Sequence, residues 1–287
     1  MRTTNHCRAR GVTLLELLVV LMILSIVLTA AVKTWDVTLE RGRAETTARK
    51  LDQLVKVIVG DPDYIVAGQR ADFGFVGDEG RLPVSLQELV VRPANDSVWR
   101  GPYIRSTFNQ SDIGYRTDGW GDTIVYGYER YEQNRDSLWV RSEGGRGAAD
   151  RSRWQTLQFP FSYDALTNNE VTGQVVDVRG DSPLNVKDPL RKSRILDCIE
   201  VRFYYSSAGQ DTYEPRTGAQ AVNFDFYGKS VGTHRLVVKW RNYYSMPPES
   251  SMWTQNVPVY PLYPSPGASG VVLRVPVDWD NVKVGLP

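Results

Sequence analysis

From Val12 to Val32 the chain runs for 21 residues with Glu16 as its only charged member. No other stretch limits the fold as strongly. At about 1.5 Å per residue, a helix of that length spans roughly 31 Å, the thickness of bilayer hydrocarbon. The residues before it carry Arg2, Arg8 and Arg10 and no acid. A carboxylate at the centre of a membrane helix costs about 2.5–3.5 kcal/mol on insertion scales, and less toward the interface. An acid near the start of such a run therefore calls for a partner. A secretory signal peptide also has a basic start and an apolar core, with Thr29-Ala30-Ala31 as a weak cleavage site, but its core is usually ~7–15 residues. A plain anchor fits the length. Neither accounts for Gly11-Val12-Thr13-Leu14-Leu15-Glu16 standing where charge gives way to apolar sequence.

That hexapeptide, behind its basic leader, resembles the class III signal of type IV pilins and type II secretion pseudopilins. The resemblance implies cleavage between Gly11 and Val12, methylation of the new amine, and Glu16 as the fifth residue of the mature chain. Val12 departs from the family's usual phenylalanine. It further implies a prepilin peptidase, an inner-membrane assembly platform and like subunits as partners. The anchor would be single-pass in the inner membrane, with the C-terminal part in the periplasm.

Charge is nearly balanced, 34 basic against 33 acidic residues, so no basic stripe argues for nucleic acid. Cys7 would leave with the leader, so Cys198 alone remains and no internal disulfide is possible in the mature chain. His6 would leave as well. A histidine-based site would rest on His234, which stands in a strand-like run.

Beyond the apolar run, Lys33 to Val59 contains Gly42 as its one glycine and no proline. Ala44, Ala48, Leu51, Val55 and Ile58 recur at spacings of four and three, with Leu54 widening the stripe. This pattern predicts one continuous helix from about Thr13 to Val59, amphipathic in its outer half, with Gly60-Asp61-Pro62 as its stop. Residues 61–80 read as a loop. Leu82 to Val90 reads as a short amphipathic helix, and Ile124–Tyr128 and Ser137–Ser142 as strands.

Trp99-Arg100-Gly101-Pro102-Tyr103, then Asp118-Gly119-Trp120-Gly121-Asp122, then the strand into Ser142, resemble in this order the head of the major pseudopilin of type II secretion. In that family a calcium ion organises the terminal loop, which makes Ser142, Asp150, Asp122 and Asp118 the weak candidates here. Calcium takes six to eight oxygens, several from carboxylates. Arg146 stands where the family has an aspartate and opposes a divalent cation, so no cofactor is expected, with calcium the one alternative.

Gly144 to Asp150 reads as a linker. Short strands follow at Val171–Gly180, Ile199–Tyr205, Ala221–Tyr227, Val231–Trp240, Val257–Tyr260 and Gly270–Val275, which suggests an antiparallel sandwich. The pattern over roughly 168–278 resembles carboxypeptidase-regulatory-like modules, β-sandwiches of the transthyretin type. The expected class is α+β: a long N-terminal transmembrane and stalk helix packed on a small antiparallel sheet head, then an all-β sandwich. The expected divisions are a cleaved leader at 1–11, a transmembrane helix at 12–32, stalk and head at 33–150, and the sandwich at 165–280.

No Gly-x-Ser-x-Gly, His-Glu-x-x-His, P-loop or Cys-x-x-Cys is present, so an enzyme is not expected. The reading is a structural subunit of a secretion pseudopilus. The alternative is a type IV pilin or minor pilin whose sandwich binds a surface or glycan, through Tyr243, Tyr244, Trp253, Tyr260 and Tyr263.

Overall fold

The computed structural model describes residues 14–104, 113–129, 137–207, 209–245, 248–261 and 267–284. The leader, Gly11, Val12 and Tyr263 lie outside the described residues. One helix, α1, runs unbroken from Leu14 to Val59, 46 residues or about 69 Å at the usual rise. It ends at Gly60, which takes a left-handed φ of 83° and bonds its N–H back to Lys56 O at 2.7 Å. In the apolar half, the Ser25 and Thr29 hydroxyls donate to the carbonyls of Leu21 and Ser25, at 2.8 and 2.7 Å. Those polar groups are satisfied inside the helix, as hydrocarbon requires.

The outer half of α1 buries Thr47, Leu51, Leu54, Val55, Ile58 and Val59. The buried face is turned from the expected one: Ala48 is exposed and Thr47 takes its place inside. Thr47 tolerates burial because its hydroxyl accepts the Gly119 N–H at 2.8 Å and donates to Arg43 O at 2.9 Å. Residues 61–80 are not a plain loop. Ile65–Val66 (β1) and Gln69–Arg70 (β2) form a hairpin, turned by Ala67 and Gly68, both at positive φ. Gly74–Glu79 (α2) follows and buries Phe75 and Val76. The expected helix near Leu82–Val90 shrinks to a single 3-10 turn, Leu86–Leu89, with both leucines buried.

The head sheet is antiparallel: Val125–Glu129 (β3), Ser137–Ser142 (β4) and Gln155–Gln158 (β5), with β4 central. Leu138 and Val140 alternate inward and meet Ile58, Phe75 and Leu89 in one core. The head does not stop at 150. Its third strand lies past that residue, and Leu166 of Tyr163–Thr167 (α3) closes the same core.

The C-terminal part is a second core between two sheets. One holds Glu249–Val259 (β11), Gly232–Asn242 (β10), Ile199–Ser207 (β7) and Gln210–Thr217 (β8), in that order and all antiparallel. The other holds Gly267–Arg274 (β12), Asn169–Val176 (β6) and Asn223–Lys229 (β9), with β6 central. Val201, Phe203, Leu236 and Val238 face Val171, Val175, Phe224, Phe226 and Leu273 between them. The layers match the sandwich expected, with two differences. β12 runs parallel to β6, because the chain crosses from the four-stranded sheet to the other one before pairing. Pro189–Asp197 (α4) and Ala219–Val222 (α5) also enter, so the module is β-rich and not all-β. Helix α4 starts where Asp188 caps Leu190 and Arg191 with proline at the next position, a start signal that the strand rhythm hid. Its Ile195 is completely buried in that core.

Candidate functional site

Among the described residues, nothing covers the apolar half of α1. Leu14, Leu17, Leu18, Leu21, Leu24 and Leu28 are all exposed, while the outer half of the same helix is packed against the head. One rigid element thus joins a bare apolar rod to a folded domain. Glu16 lies in its first turn. Gly11 and Val12, the expected processing pair, precede the described residues.

Above the rod, the loop around Trp120 grips α1 through polar groups. The Trp120 indole N–H and Arg153 both donate to Glu40 Oε2, at 3.1 and 2.7 Å. The Trp120 bond foremost, and then Arg153, hold the Glu40 carboxyl below its usual range. Lys50 donates to the carbonyls of Gly114 and Thr117 at 3.1 and 2.8 Å. A Cβ on Gly119 would sit 2.4 Å from Arg43 O, so only glycine permits this approach to the helix. Glu40, Thr47, Lys50 and Arg153 were not singled out from sequence. Glu40, Thr47 and Leu54 do share one face at seven-residue spacing, but an apolar-only stripe passes over the first two.

The calcium candidates divide into two groups. Asp118 and Ser142 are buried together: the Ser142 hydroxyl donates to Asp118 Oδ2 at 2.6 Å. Asp118 Oδ1 accepts the N–H groups of Trp120 and Asp122, each at 2.9 Å. Asp122 therefore contributes its backbone to the turn, and its side chain is exposed. Asp150 belongs to a different arrangement. It caps Ser152 at 3.0 Å and accepts Arg146 Nη1 at 3.0 Å. Ser152, through hydroxyl and N–H, and then Arg146 pull its carboxyl down to about 2. Among the described residues no three His, Cys, Asp or Glu side chains converge as a metal set. These residues do not fit the calcium that the head's likeness implies. Both Asp118 oxygens are committed to the chain's own donors, and Arg146 already supplies a cation to Asp150.

Calcium should accordingly leave the head unchanged. A unit charge and a divalent ion ~6 Å apart at an effective dielectric of ~20 interact by about 5 kcal/mol before screening, so Arg146 in the loop strongly opposes binding. The melting temperature of the detergent-solubilised chain, in millimolar calcium and in chelator, is expected to agree within about 2 °C; a calcium-induced rise of ~10 °C would restore the metal.

Among the described residues, the late aromatics do not gather into one face. Tyr260 packs against the head core and Trp253 against the module core, while Tyr243 and Tyr244 are exposed, Tyr244 donating to Asp197 at 3.3 Å. His234 is buried, with Nε2 at 2.7 Å from Ser230 O. Desolvation pushes its pKa down to about 4, which marks a neutral core histidine.

The prokaryotic N-terminal methylation motif matches residues 7–32, which spans Gly11, Val12 and Glu16. The chain is 26% identical over 148 residues to the type II secretion system core protein G of Xanthomonas campestris pv. campestris, covering 52% of this chain and 89% of that protein. Nearly half of the chain lies outside that match. No solved structure matches the chain. The N-terminal methylation motif on an exposed apolar helix and the similarity to a type II secretion core protein together support a pseudopilin-like character for this chain.

Proposed function

We propose that the chain is a structural subunit of a type II secretion pseudopilus. It would be anchored in the inner membrane through α1 and assembled with like subunits to support export across the outer membrane. The observation that carries this reading is the bare apolar half of α1, rigidly continuous with a packed head. Within a bilayer or a bundle of like helices, that surface is covered, and the head is held at a fixed height above it. Processing after Gly11 would place a new amine on Val12 close to the depth of Glu16. Pairing that cation with Glu16 of a neighbouring subunit would offset two desolvation costs and set the register between subunits. The domain division that goes with it runs from leader to anchor to head through α3, then a module from β6 onward. The module's role would be to shape the outer surface of the filament.

The test is the mature N-terminus. Intact-mass analysis of protein extracted from membranes is expected to give a chain starting at Val12 and carrying one methyl group. A chain starting at Met1, or cut after Ala31, would remove the basis for subunit assembly.

A further inference from the structure

The head and the module meet along a seam that tolerates no bulk. Gly80, at φ 70°, ends α2 there, and a Cβ on it would stand 2.3 Å from Ser206 O in β7. Gly209, at φ 75°, faces Asp96 so closely that its Cβ would lie 2.9 Å from the Asp96 carboxyl carbon. Around that point the loop from Asn95 to Ser97 is bonded to the module: Ser97 N–H donates to Gly209 O at 2.8 Å, and Gln210 Nε2 donates to Asn95 O at 2.6 Å. Asp96 thus sits at one of the points where head and module are bonded.

Asp96 and Glu79 are both inside this seam, at 4% and 0% exposure. Asp96 Oδ1 accepts the N–H groups of Val98 and Trp99, at 3.1 and 3.0 Å. Neither Glu79 oxygen nor Asp96 Oδ2 receives an N–H or hydroxyl donor, and the Ser230 hydroxyl nearby in the module is also unmatched. Among the described residues, Arg81 is the cation beside them. Its Nη2 stands 3.9 Å from Glu79 and 3.5 Å from Asp96, too far for a good hydrogen bond, and its Nη1 is engaged by Glu88 at 2.6 Å. Two buried carboxylates with one shared, distant arginine are under-compensated. A single proton resolves this: carried on Glu79, it donates to Asp96 Oδ2 and satisfies an oxygen on each side.

We propose that the Glu79–Asp96 carboxyl pair is a proton-dependent latch at the seam, closed when one proton is held between the two groups and loosened when that proton is lost to water. Burial first, and then Asp96, raise the Glu79 pKa to about 8, while Asp96 stays below its usual range through its bonds to Glu79, Trp99 and Val98. The folded pKa of Glu79 lies above its ordinary value, so the closed seam binds a proton that the open seam releases. Closure therefore weakens as pH rises toward 8 and is level beyond it. Other charged and titratable groups also face the seam. Asp78 is held by the Tyr103 hydroxyl at 3.1 Å and Arg100 at 3.4 Å, yet burial raises its carboxyl too, so it acts in the same sense as Glu79. Burial pushes Tyr103 upward. Lys229 is paired with Glu214 at 2.6 Å. His234, bonded to Ser230 O, is depressed to about 4 and acts in the opposite sense, but only below its ordinary 6.5.

Hydrogen exchange on the detergent-solubilised full chain tests the latch, with protection corrected for the intrinsic pH dependence of exchange. In segments 95–98 and 209–210, protection is expected to fall about ten-fold per pH unit from pH 6.5, the slope easing near 8, for roughly 30-fold in all before it levels off above that. Glu79→Gln, whose amide donates to Asp96 at every pH, should flatten the profile, and Asp96→Asn should move the levelling point below pH 8. A flat wild-type profile overturns the proposal, whether or not the variants fold. So does a wild-type slope retained in Glu79→Gln, or an equal fall at residues 114–119, which grip the stalk and would then report global unfolding.

Discussion

Glu16→Ala is expected to leave the protein membrane-inserted and folded while nearly abolishing crosslinking between neighbouring stalks. Removing an acid from an apolar helix lowers its insertion cost by up to about 3 kcal/mol, so a loss of assembly cannot be assigned to a failure to insert. The head should be equally indifferent, because Glu16 lies about 46 Å along the helix axis from Thr47, the first fully buried stalk residue, at ~1.5 Å per residue. On the proposed function, what the substitution removes is the counter-charge for the amine that processing would create on Val12. A buried ion pair broken on one side costs roughly 3–5 kcal/mol, because the remaining charge is left without compensation. Per contact in a repeating filament, that is enough to shift the equilibrium toward dispersed subunits. Cysteine pairs placed on the exposed faces of Leu17 and Leu21 would report the stalk contact. Wild-type crosslinking in the Glu16→Ala protein would show that register is set elsewhere, by apolar packing alone.

The second large effect is on the other half of the same helix. Ile58→Ala is expected to destabilise the head by about 2–5 kcal/mol, lowering its thermal transition by roughly 5–15 °C. Ile58 is completely buried and meets residues from α2, β4 and the Leu86–Leu89 turn in one core, so its loss leaves a cavity no single neighbour can fill. Ala48→Leu supplies the control. Ala48 belongs to the stripe expected from sequence, yet it is exposed, so the larger side chain there should change the transition by less than about 1–2 °C. If Ala48→Leu were the damaging change and Ile58→Ala the neutral one, the helix would face the head on its other side. Thermal melts of the two detergent-solubilised variants, followed by tryptophan fluorescence, separate the outcomes.

The rotation at Thr47 shows where sequence reading reaches its limit. Apolar spacing located the outer half of α1 as amphipathic and placed Leu51, Leu54, Val55 and Ile58 inside. It could not choose between Ala48 and Thr47, because small and polar residues carry little periodic signal. Thr47 is inside only because the Gly119 N–H arrives from 72 residues away to use its hydroxyl. The same holds for the loop acids. Sequence could bring Asp118, Asp122, Ser142 and Asp150 onto one roster of oxygen ligands by resemblance. Only coordinates divide them into an internal Asp118–Ser142 turn and a separate Arg146–Asp150 pair. In the module, alternation located β6, β7, β9, β10 and β12, but alternation is blind to direction, so the parallel pairing of β12 with β6 was not legible. β8 and β5 were passed over altogether, since polar and charged residues fill them.

What the sequence by itself determined was the N-terminal stretch: basic residues, then a bilayer-length apolar run with Glu16 inside it, and an unbroken helix to Val59. These are local properties. Hydrophobic length, charge order and the absence of a helix breaker act within one or a few turns and need no partner from elsewhere in the chain. What only the tertiary structure decided was which polar groups are engaged and with whom. Glu40 with Trp120 and Arg153, Lys50 with the carbonyls of Gly114 and Thr117, and Ser97 with Gly209 are all joined across 64 to 113 positions. A polar group's cost depends on whether a partner reaches it once water is excluded, and that is a property of packing rather than of spacing. Glu79 is the clearest instance. In the sequence it is one acid among several in a Gly- and Asp-rich stretch, and in the fold it is a fully buried carboxyl facing another.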